Sequence, residues 1–159
     1  MRVYYEDTDA GGIVYYANYL RFFERARSDW LRALGVDQRK LSENDALGFV
    51  VRDCTIRFVA PARLDDELDI HVAIGSIDAD LRRASMRVSQ RAMLAERVSN
   101  HSAGNVRVAC ISTASGKPAP IPDWILHRMI RASPSPAAGT RHGAHATPSR
   151  PLPDAIDTP

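Results

Sequence analysis

The segment Asn18-Tyr-Leu-Arg-Phe-Phe-Glu-Arg-Ala-Arg-Ser-Asp-Trp-Leu-Arg-Ala-Leu34 decides the fold of this chain. Its large apolar side chains recur at helical spacing, and charged or polar side chains occupy the positions between them. Asn18 is an acceptable N-cap residue, and Gly35 follows where a left-handed C-terminal cap is expected. The sequence therefore predicts one amphipathic helix over residues 18–34, with an apolar face that packs against another element.

The spacing of the apolar residues changes from helical to alternating after a polar stretch at 36–46. We expect a turn over 99–104 and a short last helix over 122–131. Because most connections are too short for helical crossovers, the pattern predicts an α+β fold, with an antiparallel sheet of about five strands packed on the long helix. The expected strands are Val3–Tyr5 and the alternating segments 53–58, 68–74, 86–94 and 106–110.

Composition divides the chain into one domain and a tail. The chain has 159 residues, of which 45% are hydrophobic, and this suits a single globular domain with a sizeable core. Residues 132–159 contain six of the ten prolines and few large apolar side chains. Such a segment cannot bury enough surface to offset the entropy of ordering it. We therefore predict a domain over residues 1–131 and a disordered tail over residues 132–159.

Charge and cysteine content argue against several classes of function. The formal net charge of +2 is too small to support nucleic-acid binding. Cys54 and Cys110 form no Cys-x-x-Cys pair, so neither a disulfide framework nor a zinc site is indicated. No apolar run approaches the ~20 residues of a membrane-spanning helix, and the N-terminal residues lack the layout of a signal peptide. We expect a cytoplasmic protein without a transmembrane segment.

A cluster of acidic residues precedes the predicted helix, in the segment Glu6-Asp-Thr-Asp-Ala-Gly-Gly-Ile-Val14. A helix N-terminus offers unpaired backbone N–H groups and a partial positive charge. A substrate carbonyl could be polarised there while a nearby Asp attacks it or activates water. The segment is therefore a candidate catalytic corner.

Several functions compete for this corner. In an extended conformation Asp7 and Asp9 would face the same side, roughly 7 Å apart, and could serve as ligands of a divalent metal or as a glycosidase acid–base pair. One carboxylate could instead act alone on an activated carbonyl, as nucleophile or general base. An ordinary turn, in which Asp side chains cap local N–H groups and glycines adopt positive φ, accounts for the same residues. Gly11-Gly12 lacks the G-x-G-x-x-G spacing of a dinucleotide loop, so no cofactor is indicated.

Other side chains near the corner are candidates for binding rather than for chemistry. Tyr15, Tyr16 and Tyr19 stand at the entrance of the helix and could shape a pocket. The histidines are isolated, and no Ser or Cys stands beside a base, so a serine-type mechanism is disfavoured. Six arginines form a predicted solvated face of which a subset could hold phosphates: Arg52, Arg57, Arg63, Arg82, Arg83 and Arg91.

The stretch Val3-Tyr-Tyr-Glu-Asp-Thr-Asp-Ala-Gly-Gly-Ile-Val-Tyr-Tyr-Ala-Asn-Tyr-Leu-Arg-Phe-Phe-Glu-Arg-Ala-Arg27 closely resembles the hotdog-fold acyl-CoA thioesterases of the 4-hydroxybenzoyl-CoA thioesterase family. Within that family the branch it resembles is that of the thioesterases associated with the Tol-Pal system. Residues 49–52 and 60–70 match as well, so the likeness runs over most of residues 2–115.

This resemblance implies a hotdog fold, in which a curved antiparallel sheet wraps around the long helix, over residues 1–131. It implies that protomers join their sheets into homodimers, which commonly pair into tetramers, with sites at the interface. In that family the residue at Asp9 is the catalytic carboxylate, and the backbone N–H of residue 16 polarises the thioester carbonyl. Tyr5 also belongs to the active-site set, and Asp7 is structural. We expect the substrate to be bound by Gly12, Val14, Tyr15, Tyr19 and Arg52.

One departure concerns position 16, which is often His in the Tol-Pal branch and is Tyr16 here. A backbone role survives that change, whereas a side-chain role in protonating the thiolate does not. The sequence thus predicts hydrolysis of an acyl thioester, with acyl-CoA as substrate, no cofactor and no metal. The alternative is a non-catalytic module that binds acyl-CoA or an acyl carrier protein in an envelope-associated complex. The presence of Asp9 favours the enzyme.

Overall fold

The computed structural model describes residues 1–77, 84–95 and 100–132. The chain forms one long helix, then a short helix, four strands and a last helix. In chain order these are α1 (Asn18–Ala33), α2 (Gln38–Asp45), β1 (Leu47–Phe58), β2 (Leu68–Ile77), β3 (Ser85–Leu94), β4 (Asn100–Ser112) and α3 (Asp123–Ala132). The predicted long helix and last helix are confirmed. Of the tail expected over residues 132–159, Ala132 ends the last helix, and residues 133–159 lie outside the described residues.

Helix α2 occupies the polar stretch at 36–46, where the sequence indicated no element. The Asp37 side chain caps it by accepting hydrogen bonds from the backbone N–H groups of Arg39 and Lys40. Leu41 is buried and belongs to the core. One buried apolar residue and one good N-cap residue suffice for this short helix. A single apolar residue creates no helical periodicity in the sequence, so the pattern did not predict the helix.

The sheet has four antiparallel strands in the order β1-β4-β3-β2. The expected strand at Val3–Tyr5 is not formed: Arg2 makes an isolated bridge with Glu67, and Tyr5–Asp7 is a turn of 3₁₀ helix. The Asp7 carboxylate accepts the backbone N–H of Tyr4 at 3.0 Å. This local bond closes the chain into a turn, as Asp side chains commonly do, and so competes with an extended strand.

The expected turn at 99–104 is wrong for residues 100–104, which belong to β4. Gly104 pairs with Ile56 of β1 and with Gln90 of β3. A Cβ at Gly104 would lie 3.0 Å from the Phe23 ring, so the glycine allows close approach of α1 to the sheet. Pairing on both sides outweighs the local turn preference of these small and polar residues.

The core lies between α1 and one face of the sheet, in two clusters of buried side chains. Phe22 and Phe23 are 1% and 0% exposed and belong to the cluster near the start of α1, whereas Leu31 belongs to the cluster near its end. Burying one such Phe side chain stabilises the fold by about 1.5–3 kcal/mol. The apolar face predicted for the helix is confirmed.

The C-terminal end of α1 is capped as the sequence predicted. Gly35 has φ +73°, and the backbone N–H groups of Gly35 and Val36 donate to the carbonyls of Arg32 and Leu31. These two bonds form a Schellman motif, and its usual apolar contact is present because Leu31 and Val36 lie in the same core cluster.

In the described part of the chain, no helix is both long and apolar enough to cross a membrane.

Candidate active site

The turn before α1 is built around Asp7. Its side chain is 4% exposed and accepts the backbone N–H of Tyr4. Its backbone carbonyl accepts two hydrogen bonds, from the Tyr15 N–H at 2.8 Å and from Asn18 Nδ2 at 3.0 Å. Asp7 therefore holds the turn against the start of the helix, which agrees with the structural role that the resemblance implied.

Asp9 lies in the loop that crosses over this turn. The backbone N–H of Asp9 donates to the Ile13 carbonyl at 2.9 Å, and the Asp9 carbonyl accepts the Gly12 N–H at 2.9 Å. Asp9 Oδ1 accepts the Gly11 N–H at 2.8 Å. Asp9 Oδ2 has no hydrogen-bond partner within the described segments, and the side chain is exposed. One carboxylate oxygen is thus fixed while the other is available to a ligand.

The expectation that Asp7 and Asp9 share one side of an extended segment is wrong. Asp7 ends the 3₁₀ turn and is buried, whereas Asp9 is exposed. A paired-carboxylate site therefore has no geometric support here. Among residues 1–77, 84–95 and 100–132, no three His, Cys, Asp or Glu side chains converge as metal ligands.

Burial raises the pKa of the Cys110 thiol to about 11, and Cys54 is exposed.

The N-terminal end of α1 carries unsatisfied backbone donors. Asn18 is not the N-cap: Ala17 holds that position without a side-chain bond, and the Asn18 amide binds Asp7 instead. The backbone N–H groups of Tyr16 and Ala17 have no acceptor in the part of the chain that is described. Such groups carry the positive end of the helix dipole, so they can bind a carbonyl oxygen that develops negative charge.

A cleft of about 460 Å³ opens beside these groups. Asp9 and Tyr16 both line it, so an acidic residue and the segment that leads into α1 meet at the same space. The opposite wall is the end of β1 and the segment after it. The remaining lining residues are mostly apolar, and they are Ile13, Val14, Tyr19, Phe58, Val59, Ala60 and Pro61. An apolar wall with few polar groups is typical of a small-molecule site.

Aromatic side chains join the two walls of the cleft. The Phe58 ring lies 6.2 Å from the Tyr16 ring and 5.6 Å from the Tyr19 ring, measured between centroids. A hydrogen bond to the Tyr16 side chain raises the pKa of Tyr15. Burial raises the pKa of Tyr19, whose hydroxyl has no hydrogen-bond partner in the described region. Tyr19 therefore lines the pocket as a neutral group.

The sequence-predicted residues separate into two sets. Asp9, Tyr16, Val14 and Tyr19 come together on the cleft. The residues that do not line it are Tyr5, Gly12, Tyr15 and Arg52. Tyr5 is 82% exposed, and Gly12 is at the loop tip with φ +69°. The Tyr15 ring packs against the Tyr16 ring with their centroids 4.6 Å apart, and Arg52 is exposed at a bulge of β1.

Sequence reasoning gave no role to the wall formed by residues 58–61. Phe58 and Val59 are 49% and 58% exposed, which is unusual for large apolar side chains at the end of a strand. Their separation from Asp9 in the chain hides their part in the site. The signal that could have found them is Pro61, which ends the alternating pattern and leaves apolar residues beyond the core.

A model of the thioesterase-like superfamily matches residues 3–129. The chain is 41% identical over 122 residues to the acyl-CoA thioesterase YbgC of Haemophilus influenzae, covering 77% of this chain and 85% of that protein. It is 43% identical over 126 residues to the acyl-CoA thioester hydrolase YbgC of Escherichia coli O157:H7, covering 79% and 90%. The crystal structure of a probable thioesterase from Bartonella henselae superposes with a TM-score of 0.69 at 38% identity, covering 77% of this chain and 95% of that one.

Proposed function

Since the chain belongs to the thioesterase-like superfamily and is a thioester hydrolase, we propose that it hydrolyses acyl-CoA to a carboxylic acid and free CoA. Its fold is the α+β hotdog arrangement. The observation that carries the proposal is that one cleft is lined by Asp9 and by Tyr16, which lies two residues before α1 and has an open backbone N–H among the described residues. The relatives' names, which specify acyl-CoA, support the substrate class.

In the proposed reaction the thioester carbonyl oxygen is bound by the backbone N–H of Tyr16. Asp9 then attacks the carbonyl carbon, or removes a proton from a water that attacks it. The negative charge that develops on the oxygen is stabilised by the N–H groups and the helix dipole. The C–S bond breaks, CoA leaves as thiolate and takes up a proton, and water supplies the oxygen of the acid.

Few groups suffice because a thioester is an activated acyl group with a good leaving group. The Gly11 N–H fixes Asp9 Oδ1, which leaves Oδ2 to act on carbonyl or water. The apolar wall, including Val14 and Tyr19, would receive the acyl group. We propose supporting roles for Tyr5, Gly12, Tyr15 and Arg52 at the margin of the site.

The test is thiol release from a panel of short-chain, long-chain and aromatic acyl-CoAs, with the same acyl groups on an acyl carrier protein. Asp9→Asn removes the charge and leaves the shape, so kcat should fall by about 10²–10⁴-fold with little change in melting temperature. The matched control is Asp69→Asn, an exposed carboxylate on β2. The assignment fails if Asp9→Asn keeps most of its turnover, or if folded wild type hydrolyses none of these substrates.

We propose a homodimer that forms along the free edge of β1. Among the strands that the structure describes, β1 pairs only with β4 and on one side, and residues 50–55 are all exposed. Unpaired strand edges with exposed apolar side chains are ready sites for pairing. Because Phe58 at the end of β1 lines the cleft, a partner seated there would extend the site.

Light scattering tests the dimer and shows whether dimers pair into tetramers. Val51→Lys places a charge at the middle of β1 and should reduce the assembly to monomers, with loss of activity. Ser76→Lys on β2, at the opposite edge of the sheet, should leave the assembly unchanged. A Val51→Lys variant that stays dimeric contradicts the β1 interface.

We further propose a cytoplasmic enzyme of the Tol-Pal-associated branch. The support is the resemblance of residues 3–27 and the presence of two free cysteines, as in a reducing compartment. Cell fractionation and co-purification with Tol-Pal components test these two points separately.

A further inference from the structure

Arg63 is placed at the rim of the Asp9 cleft by the pairing of two loops. Ile13 and Arg63 form an isolated antiparallel bridge, and the Val14 N–H donates to the Ala62 carbonyl at 2.8 Å. Residues directly opposite in an antiparallel pair project their side chains to the same face. Ile13 and Val14 both line the cleft, so this loop pair borders it, and Arg63 projects on the same side of the pair as Ile13.

Alternation along the second loop gives the same orientation independently. Pro61 lines the cleft, Ala62 is 0% exposed in the core, and Arg63 is exposed. In extended backbone, residues two apart face the same side. Arg63 thus shares the side of Pro61 and adjoins the wall that would contact an acyl thioester.

No described residue neutralises the positive charge of Arg63. No carboxylate of the described residues forms an ion pair with its guanidinium, whereas Arg2, Arg32, Arg39 and Arg107 all have such partners. The guanidinium makes no hydrogen bond within the described segments. Arg63 therefore offers a cation and several donors to a ligand at the cleft.

The acidic residues that follow Arg63 are largely committed to other groups. Asp66 Oδ2 accepts the backbone N–H of Arg63 at 2.7 Å, and Glu67 pairs with Arg2. Asp65 remains and is exposed, where solvent screens its charge. These neighbours hold the loop in shape without pairing with the Arg63 side chain.

We propose that Arg63 binds a phosphate group of coenzyme A at the rim of the cleft. The inference rests on the proposed function, and it favours Arg63 among the exposed arginines of the described residues because its loop pairs with the cleft residues Ile13 and Val14. A guanidinium binds phosphate through two parallel N–H···O bonds, so it can anchor the carrier while the acyl end lies near Asp9. Arg63 would then set the preference for CoA over thiols that lack phosphate.

Kinetics with two thiol carriers test this role. Wild type and Arg63→Ala are compared on one acyl group carried by CoA and by N-acetylcysteamine, which has no phosphate. Arg63→Ala should raise KM for the acyl-CoA about five- to ten-fold with kcat nearly unchanged. It should leave both constants for the N-acetylcysteamine thioester as in wild type. Arg63→Lys should keep part of the effect, because it retains the charge without the bidentate geometry.

Two further arginines complete the comparison. Arg91→Ala changes an exposed arginine between two buried residues, Gln90 and Ala92, so it lies on the face of β3 away from the core and should behave as wild type. Arg52→Ala tests the competing cation on β1. The proposal is overturned if Arg63→Ala leaves KM for the acyl-CoA unchanged, if it raises KM equally for both carriers, or if only Arg52→Ala discriminates between them.

Calorimetric binding of free CoA and of 3′-dephospho-CoA provides a measurement that needs no turnover. Weaker binding of CoA by Arg63→Ala supports the proposal, and loss of the difference between the two ligands identifies the 3′-phosphate. If wild type hydrolyses no acyl-CoA but binds CoA more tightly than Arg63→Ala does, the proposed function fails and the Arg63 site stands. If wild type turns over acyl-CoA and Arg63→Ala matches it in turnover and binding, only the Arg63 site fails.

Discussion

The C-terminal end of helix α1 is capped by hydrogen bonds, whereas its N-terminal end has no side-chain cap. At the C-terminal end, the Schellman bonds at Gly35 are joined by Arg128, whose Nη1 donates to the carbonyls of Leu34 and Gly35 at 2.9 and 3.1 Å. At the N-terminal end, no side chain caps the helix, and the N–H groups of Tyr16 and Ala17 find no acceptor in the described region.

This difference separates structure from function along one helix. Open backbone groups cost stability unless water or a ligand satisfies them, so a protein caps its helix ends where nothing else is required. Here the side chain suited to cap, Asn18, is turned away to hold the Asp7 carbonyl. The end that is left open is the one next to Tyr16, which lines the cleft with Asp9.

The largest effect is expected from removing an open donor. Tyr16→Pro deletes the backbone N–H of residue 16, which makes no hydrogen bond in the described chain, and should lower kcat by about 10²–10³-fold. Tyr16→Phe keeps that N–H and should stay near wild type. Turnover of acyl-CoA is measured, with circular dichroism to verify folding. A folded proline variant with wild-type turnover would remove the N–H from the mechanism.

The next effect concerns the side chain that keeps the end open. Asn18→Ala loses the bond to the Asp7 carbonyl, which should cost about 1 kcal/mol in unfolding free energy. The looser corner should lower kcat by about ten-fold, because small misplacements at a site are expensive. Asn18→Asp, of equal size but without the donor when ionised, should recover activity as pH is lowered and its buried carboxyl gains a proton. The same pH profile in wild type would refute this positioning role.

A comparable loss of stability, without loss of activity, is expected at the closed end. Gly35→Ala places a side chain at φ +73°, which costs roughly 1–2 kcal/mol, and its Cβ would lie 2.6 Å from Arg128 Nη1. Chemical denaturation gives the unfolding free energy, and kcat is taken at a temperature where the variant is folded. A large fall in kcat there would mean that the two ends are coupled.

The smallest effect is expected from the Arg128 side chain, which lies on α3 and donates hydrogen bonds to the C-terminal end of α1. Arg128 is exposed and lies 5.0 Å from the centre of the Trp124 ring. Arg128→Ala should cost about 0.3–1 kcal/mol, since it removes a cation from a helix C-terminus at the surface. Arg128→Lys should recover part of this amount. Thermal unfolding of both variants measures it, and an unchanged melting temperature for Arg128→Ala would show that the bonds contribute nothing.

Local patterns were enough to predict the elements whose causes are local. Helical spacing and Gly35 located α1 and its C-terminal cap, and alternation located a part of each of the four described strands, because these signals arise within a few residues. They failed where distant groups compete. Asn18 is a residue type suited to an N-cap, but its side chain binds the Asp7 carbonyl instead. Residues 100–104 have the composition of a turn, but they lie in a strand because β1 and β3 pair with them.

By itself the sequence determined the α+β class, the central helix and Asp9 as the candidate carboxylate, since periodicity and a long specific motif are written in neighbouring residues. Only the tertiary structure decided what faces Asp9. It brought residues 58–61 across from the helix start, buried Asp7 while exposing Asp9, and set Arg63 beside Ile13. The physical reason is that these neighbours meet through sheet pairing and core packing, which depend on contacts between segments far apart in the chain.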